Sequence, residues 1–150
     1  MPIHAPAAHA VPAAPIDVAI VREINAVRRD NGLSPVRMSR SLVRVARGHT
    51  RDMLGHQVMT HDASDGTPFA ARMARTLTSR YSRVGETIFW EALSASPTAD
   101  GIVRAWMGSP PNRAQLLEPR YRVIGVATAT GDYDGEETLA VTADFGVRRR

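Results

Sequence analysis

The chemistry open to this 150-residue chain rests on histidine and carboxylate. It has no cysteine to supply a thiolate nucleophile, a thiolate metal ligand or a disulfide. Its five histidines fall in different settings. His4 and His9 sit in an Ala/Pro-rich leader, and His56 follows a helix end. His49 repeats with Leu42, Val45, Ala46 and Met53 at about 100° per residue and reads as a satisfied core histidine. His61 stands just before the Asp65-Gly66 turn, and Glu86 stands near the start of a strand. Read alone, His61 pins that loop, and Glu86 accepts backbone N–H groups at a strand end. Asp132, Asp134, Glu136 and Glu137 form an acidic hairpin tip. Their spacing lacks the twelve-residue calcium-loop pattern, so the tip reads as a solvated loop. The sequence contains no G-x-S-x-G elbow, H-E-x-x-H helix or Gly-rich phosphate loop. Ser82 and Ser109 have no identifiable base–orienter pair, and no catalytic residue is assigned.

The elements that would position these groups follow from periodicity and breakers. Asp17 is predicted to cap a first helix ending near Asn31, with Gly32 as its stop. Ile20, Ile24 and Val27 form its inward face, and Arg22 and Arg29 lie opposite. Leu33 to Val36 reads as an extended link. A second helix, Ser41 to Gly55, buries Leu42, Val45, Ala46, His49 and Met53. It turns Arg40, Arg44, Arg47 and Arg51 to the other side. Pro68 suits the first turn of a third helix behind a Thr67 cap, with Phe69, Met73 and Leu77 inward. Residues 84–90 are predicted as a strand entered from a Tyr81-Ser82-Arg83 turn. If the strand continues to Glu91, that carboxylate lies on the opposite face from Glu86. Thr98 opens a fourth helix, and Trp106 falls on its core stripe. Ser109-Pro110-Pro111 stops that helix, and Arg113 to Leu117 has room for one more turn. Val123–Thr130 and Thr138–Val147 are predicted to form a hairpin around Gly131–Gly135. Early helices and late strands at hairpin spacing give an α+β class with an antiparallel sheet.

The stretch Arg104 to Val126, RAWMGSPPNRAQLLEPRYRVIGV, strongly resembles the CAP superfamily: cysteine-rich secretory proteins, antigen 5 and pathogenesis-related 1 proteins. Where bacterial members carry a Ser-Pro-Gly-His-Arg turn, this chain has Ser109-Pro110-Pro111-Asn112-Arg113. His61-Asp62-Ala63-Ser64-Asp65-Gly66-Thr67-Pro68-Phe69 with Arg72 is similar to the bacterial His-x-x-x-Asp-Gly-x-x-Pro-Phe-x-x-Arg segment. Gly85-Glu86-Thr87-Ile88 resembles Gly-Glu-Asn-Ile, and Asp144-Phe145-Gly146 resembles the closing strand. The likeness covers residues 17–147. It implies a three-layer α-β-α sandwich with a mainly antiparallel central sheet. It also implies a cavity that in relatives is lined by two histidines and two glutamates and in some members holds a divalent metal. His61 matches the first histidine and Glu86 the first glutamate. Asn112 aligns with the second histidine, and Ser109 falls near the second glutamate. The implied cavity residues are thus His61, Glu86, Asn112 and Ser109, and only His61 and Glu86 remain as metal ligands. Catalytic zinc normally has three protein ligands plus water, so a zinc site here is expected to be weak or absent, with no cofactor required.

Length and composition suit one domain: a leader at 1–16, a CAP domain at 17–147 and a basic tail at 148–150. Ala8-His9-Ala10 has the form of a signal-peptidase site, but no charged or apolar segment precedes it. The resemblance implies a secreted or periplasmic protein. No stretch is long and apolar enough to span a bilayer. All 19 basic residues are arginine and the net charge is +4. The arginine ridge of the second helix is expected to be a solvated face with weak, salt-sensitive contact to anionic surfaces and no specific nucleic acid. The resulting reading is a non-enzymatic binding module for a lipid or small amphipathic ligand. The alternatives are a metal-dependent hydrolase of protease or nuclease type in the same cavity, and an interaction protein at an anionic envelope surface.

Overall fold

The computed structural model describes residues 15–77 and 80–150, without the side chains of 76 and 77. Most of the leader, its histidines and the inward side chain expected at Leu77 therefore lie outside the described residues. The elements are α1 (Pro15–Asp30), β1 (Arg37–Met38), α2 (Arg40–Gly55), α3 (Phe69–Leu77), β2 (Tyr81–Ala92), α4 (Ala99–Met107), α5 (Pro110–Leu116), β3 (Val123–Tyr133) and β4 (Glu136–Arg148). The strands form one sheet in the order β1-β3-β4-β2. β4 pairs antiparallel with both β2 and β3, and the two-residue β1 adds a parallel edge. The sheet is thus mixed, and mainly antiparallel. Helix α2 packs on one face with α3 beside it, while α1, α4 and α5 cover the other. This is the expected three-layer sandwich.

The alternation of side chains along each strand assigns the two faces. Ile124, Val126, Val141 and Phe145 meet Ile20 and Ile24 of α1, Ile102 and Trp106 of α4, and Leu116 of α5. All of these are almost wholly buried. Each such aliphatic or aromatic burial contributes about 1.5–3 kcal/mol before chain entropy is set against it. Trp106 is a core residue as expected, and its indole N–H donates to the Ile88 carbonyl at 2.9 Å. On the other face a smaller cluster joins Leu42, Met73, Tyr81 and Val123. Beyond it the layer under α2 becomes polar. There Thr50 donates to Thr142 at 2.8 Å, and His49, Glu86 and Asp144 are buried.

Several local expectations shift. Helix α1 begins at Pro15, so Asp17 lies inside its first turn, where it accepts from the Thr128 hydroxyl at 2.6 Å. Gly32 ends the helix region with a positive φ of 72°, as a stop residue should. Arg28 of α1 is wholly buried, and its guanidinium donates to the carbonyls of Ser34, Leu116, Glu118 and Tyr121. It ties α1 to the α5–β3 connection. The Tyr81-Ser82-Arg83 segment is strand rather than turn, because a bulge there lets β4 continue pairing as far as Arg148. The two prolines begin α5, where their missing N–H groups are no loss. The terminal hairpin is tighter than predicted: Tyr133 pairs with Glu136 across Asp134-Gly135. Both turn residues have positive φ, 53° and 82°, as a two-residue Asp-Gly hairpin turn requires.

Gly125 fixes the seat of α2. A Cβ there would run into the backbone of Leu42 and Val43, so only glycine lets the helix start this close to β3. The Ile-Gly-Val strand is therefore a helix-docking surface, and the register of α2 over the sheet sets where His49 falls.

Candidate functional site

Glu86 stands near the middle of edge strand β2, directly opposite Asp144 of β4. Its neighbour Gly85 faces α5, since a Cβ there would enter Gln115 and the Tyr121 hydroxyl. By alternation, Glu86 points into the opposite layer, towards α2 and α3. The continuous strand also puts Glu91 on the other face, as expected. The Glu86 side chain is 1% exposed, and both of its oxygens are engaged. His61 Nδ1 donates to Oε1 at 2.9 Å, and Arg72 Nη2 donates to Oε2 at 2.6 Å. The strand-end role, with Glu86 accepting backbone N–H groups, is replaced by these two side-chain partners.

Arg72 also closes the loop that carries His61. Its Nε and Nη2 donate to the His61 carbonyl at 3.2 and 3.0 Å, and its guanidinium lies 5.3 Å from the centroid of Phe69. Phe69 in turn meets the His61 ring edge-on. Asp62 accepts the Phe69 N–H at 2.9 Å, so Asp62 rather than Thr67 caps the start of α3. Asp65 accepts from Thr67, and Gly66 takes a φ of 88°, which makes the turn. Asp52 of α2 takes the Ser64 N–H at 2.8 Å and its hydroxyl at 2.6 Å. Burial opposes the Asp52 charge, but these bonds from Ser64 hold its carboxyl below the usual range. The His61 segment is thus stitched to both α2 and α3. The loop-pinning role foreseen for His61 and its place beside Glu86 belong to one arrangement.

His49 is both a core histidine and a member of this group. Its Nε2 donates to the Thr60 carbonyl at 2.7 Å and lies 3.7 Å from Glu86 Oε1. Burial, opposed by the nearby Glu86 charge, lowers its pKa, which keeps the ring neutral with its proton on Nε2. Asp144 is fully buried. Burial first, and then the charge of Glu86, raise its pKa well above the carboxylate range. Ionised, both Asp144 oxygens would lack a donor. Protonated, the carboxyl can donate to Glu86. Burial likewise opposes the Glu86 charge, yet His61, Asp144 and Arg72 together hold that carboxyl down to about 2. One proton therefore serves the two facing acids, and it resides on Asp144.

Of the four residues assigned from sequence, His61 and Glu86 are in contact. Ser109 precedes the first turn of α5, and Asn112 lies within that turn. Helix α5 packs in the other layer, against the Gly85 side of β2. Among the described residues, neither Ser109 nor Asn112 hydrogen-bonds to His61 or Glu86. His49, Arg72 and Asp144 were not assigned. Helical period shows only that His49 is buried, and the pairing of Asp144 with Glu86 depends on strand register.

A divalent metal does not fit this donor set. Among the described residues, no group of three or more His, Cys, Asp or Glu side chains could hold one. An ion at Glu86 would also have to displace the Arg72 guanidinium or lie beside its positive charge. Next to the acid pair, a cavity of about 520 Å³ opens between α2 and the His61 loop, with Val45, Gly48, His49, Ser64 and Arg72 in its wall. That volume lies within the range of small-molecule sites.

Comparison with known proteins agrees with the fold. An uncharacterized protein of Bacillus subtilis (strain 168), YkwD, is 31% identical over 108 residues; the match spans 71% of this chain but 40% of that protein. An outer surface protein from Borrelia burgdorferi superposes with a TM-score of 0.74 at 20% identity, covering 94% of this chain and 98% of that one. An extracellular protein containing an SCP domain, from Bacillus anthracis, gives 0.63 at 23% identity, covering 92% of this chain and 45% of that one. The family model for CAP, the cysteine-rich secretory protein family, matches residues 21–145, and the chain belongs to that family.

Proposed function

We propose that this chain is a non-enzymatic binding module that takes a lipid or small amphipathic ligand into the cavity beside α2. The observation that carries the reading is the wall of that cavity. Val45, Gly48 and Ala63 offer apolar surface to a hydrocarbon part, while Arg44 and Arg80 offer charged hydrogen-bond donors to a polar head. Glu86 and His61 brace Arg72 and the loop from behind. Asn112 and Ser109, in the other layer, would contribute only to a ligand that wraps the edge of β2. The extracellular and outer-surface relatives support action outside the cytoplasm. A metal-dependent hydrolase is the weaker reading, because Arg72 already takes the place of a cation at Glu86.

Gly48 allows a clean test. It lies in the cavity wall, and a Cβ there meets nothing within 4 Å. Gly48→Leu should project a bulky side chain into the cavity without disturbing the core. It should also raise helix stability by up to about 1 kcal/mol. Titration with the fluorescent fatty acid cis-parinaric acid should show binding to the unmodified protein and loss of binding in this variant. Equal affinity in both proteins would remove the cavity from consideration.

A further inference from the structure

A second concave site lies by the β1 edge of the sheet, where β1 pairs with the start of β3 and the start of β3 pairs with the end of β4. Arg37, Arg122 and Arg148 line an open cleft of about 600 Å³ together with Ser34, Pro35 and Met38. The backbone brings the three arginines together. Arg37 N–H donates to the Arg122 carbonyl at 2.9 Å, and Arg122 N–H donates to the Gly146 carbonyl at 3.2 Å. Arg37 pairs with Val123, which pairs with Gly146, two residues before Arg148.

The electrostatics of this cleft are one-sided. No acidic residue lines it. Among the described residues, none of its three guanidiniums lies within 4.0 Å of a carboxylate. By contrast, Asp52 and Asp65 line the cavity beside α2 along with its arginines. Arg122 is also held in place, since its Nη1 donates to the carbonyls of Pro119 at 2.6 Å and Tyr121 at 2.9 Å. Three like charges lining one cleft repel one another, and an anion bound there would relieve that repulsion. The planar guanidinium fork matches the oxygens of phosphate better than a point charge would. The arginines of α2 spread along a helix surface, whereas these three share a concave floor on three adjacent chain segments.

We infer that the cleft formed by Arg37, Arg122 and Arg148 binds the phosphate group of an anionic ligand, with one phosphate held among the three guanidiniums. This stands independently of the cavity beside α2. The test is calorimetry with inorganic phosphate at low salt, in parallel with flotation on vesicles of phosphatidylglycerol in phosphatidylcholine. Arg37 and Arg148 are exposed, and their side chains make no hydrogen bond among the described residues, so Arg37→Gln and Arg148→Gln should keep the fold. Unchanged thermal melting verifies that. One phosphate per chain should bind, and each substitution should weaken it about tenfold. Arg148→Lys should recover only part of the loss, because it restores the charge without the fork. Vesicle binding without free-phosphate binding, lost in the same variants, would identify the phosphate as a lipid headgroup. Failure to bind either probe would overturn the inference. So would binding that survives both substitutions, or that falls equally when Arg44 and Arg47 are changed to Gln.

Discussion

Glu86→Gln removes one charge from a buried side chain and keeps its shape. The carboxyl of Glu86 sits at about 2 in the folded protein against an ordinary value of 4.5. At about 1.4 kcal/mol per pKa unit, that difference corresponds to about 3 kcal/mol of native-state stability at neutral pH. The geometry gives the same order. The Arg72 guanidinium, 12% exposed, would face a neutral amide, and breaking a buried pair from one side costs about 3–5 kcal/mol. Because the folded pKa is depressed, the contribution is complete above 4.5 and disappears as pH falls from there towards about 2. Urea unfolding of both proteins should therefore show a gap of about 3 kcal/mol at neutral pH that narrows through the acid range. A gap below about 1 kcal/mol at neutral pH would mean that the Glu86–Arg72 pair is no better than an exposed one. A gap that kept its size into acid would refute the assignment of the charge to Glu86.

Asp144→Asn should act in the opposite sense. The folded pKa of Asp144 is raised, so the stability tied to its proton is present in acid and is lost as pH rises through that value. The melting temperature of the variant relative to the unmodified protein should therefore climb from acid to neutral pH; a difference independent of pH would place the shared proton elsewhere. Gly125→Ala would push a methyl group into the backbone of Leu42 and Val43 and should cost at least about 1–3 kcal/mol by overpacking, measured by urea unfolding. A neutral outcome would show that α2 can lift from β3.

Helix faces were legible in the sequence because periodicity records burial directly. Leu42, Ala46, His49 and Met53 are buried residues of α2, and Arg40, Arg44, Arg47 and Arg51 are exposed. The contact between His61 and Glu86 was legible only through family resemblance, since 25 positions and a helix separate them. Asp144 was not legible, because its role comes from facing Glu86 on the neighbouring strand, and the register of β2 on β4 joins segments far apart in the chain. His49 illustrates the limit of pattern: its position on the apolar stripe correctly implied burial, while the carboxylate beside it belongs to another element. Arg28 carried no signal, because its four acceptors are backbone carbonyls supplied by irregular connections. The Asp134-Gly135 turn was readable from its dipeptide, yet its turn-rich neighbours widened the expected loop.

The central claim is that protein donors, His61 and Arg72, already engage both oxygens of Glu86, and on it rests the proposal of an organic ligand rather than a metal. The most direct measurement is thermal unfolding of the unmodified protein with excess zinc and with EDTA, beside zinc calorimetry. The expected result is a melting temperature the same in both solutions and no stoichiometric heat of binding. Uptake of one zinc per chain would contradict the claim, particularly if it raised the transition as native-state binding must, by about 2.7 kcal/mol at a hundredfold excess over Kd.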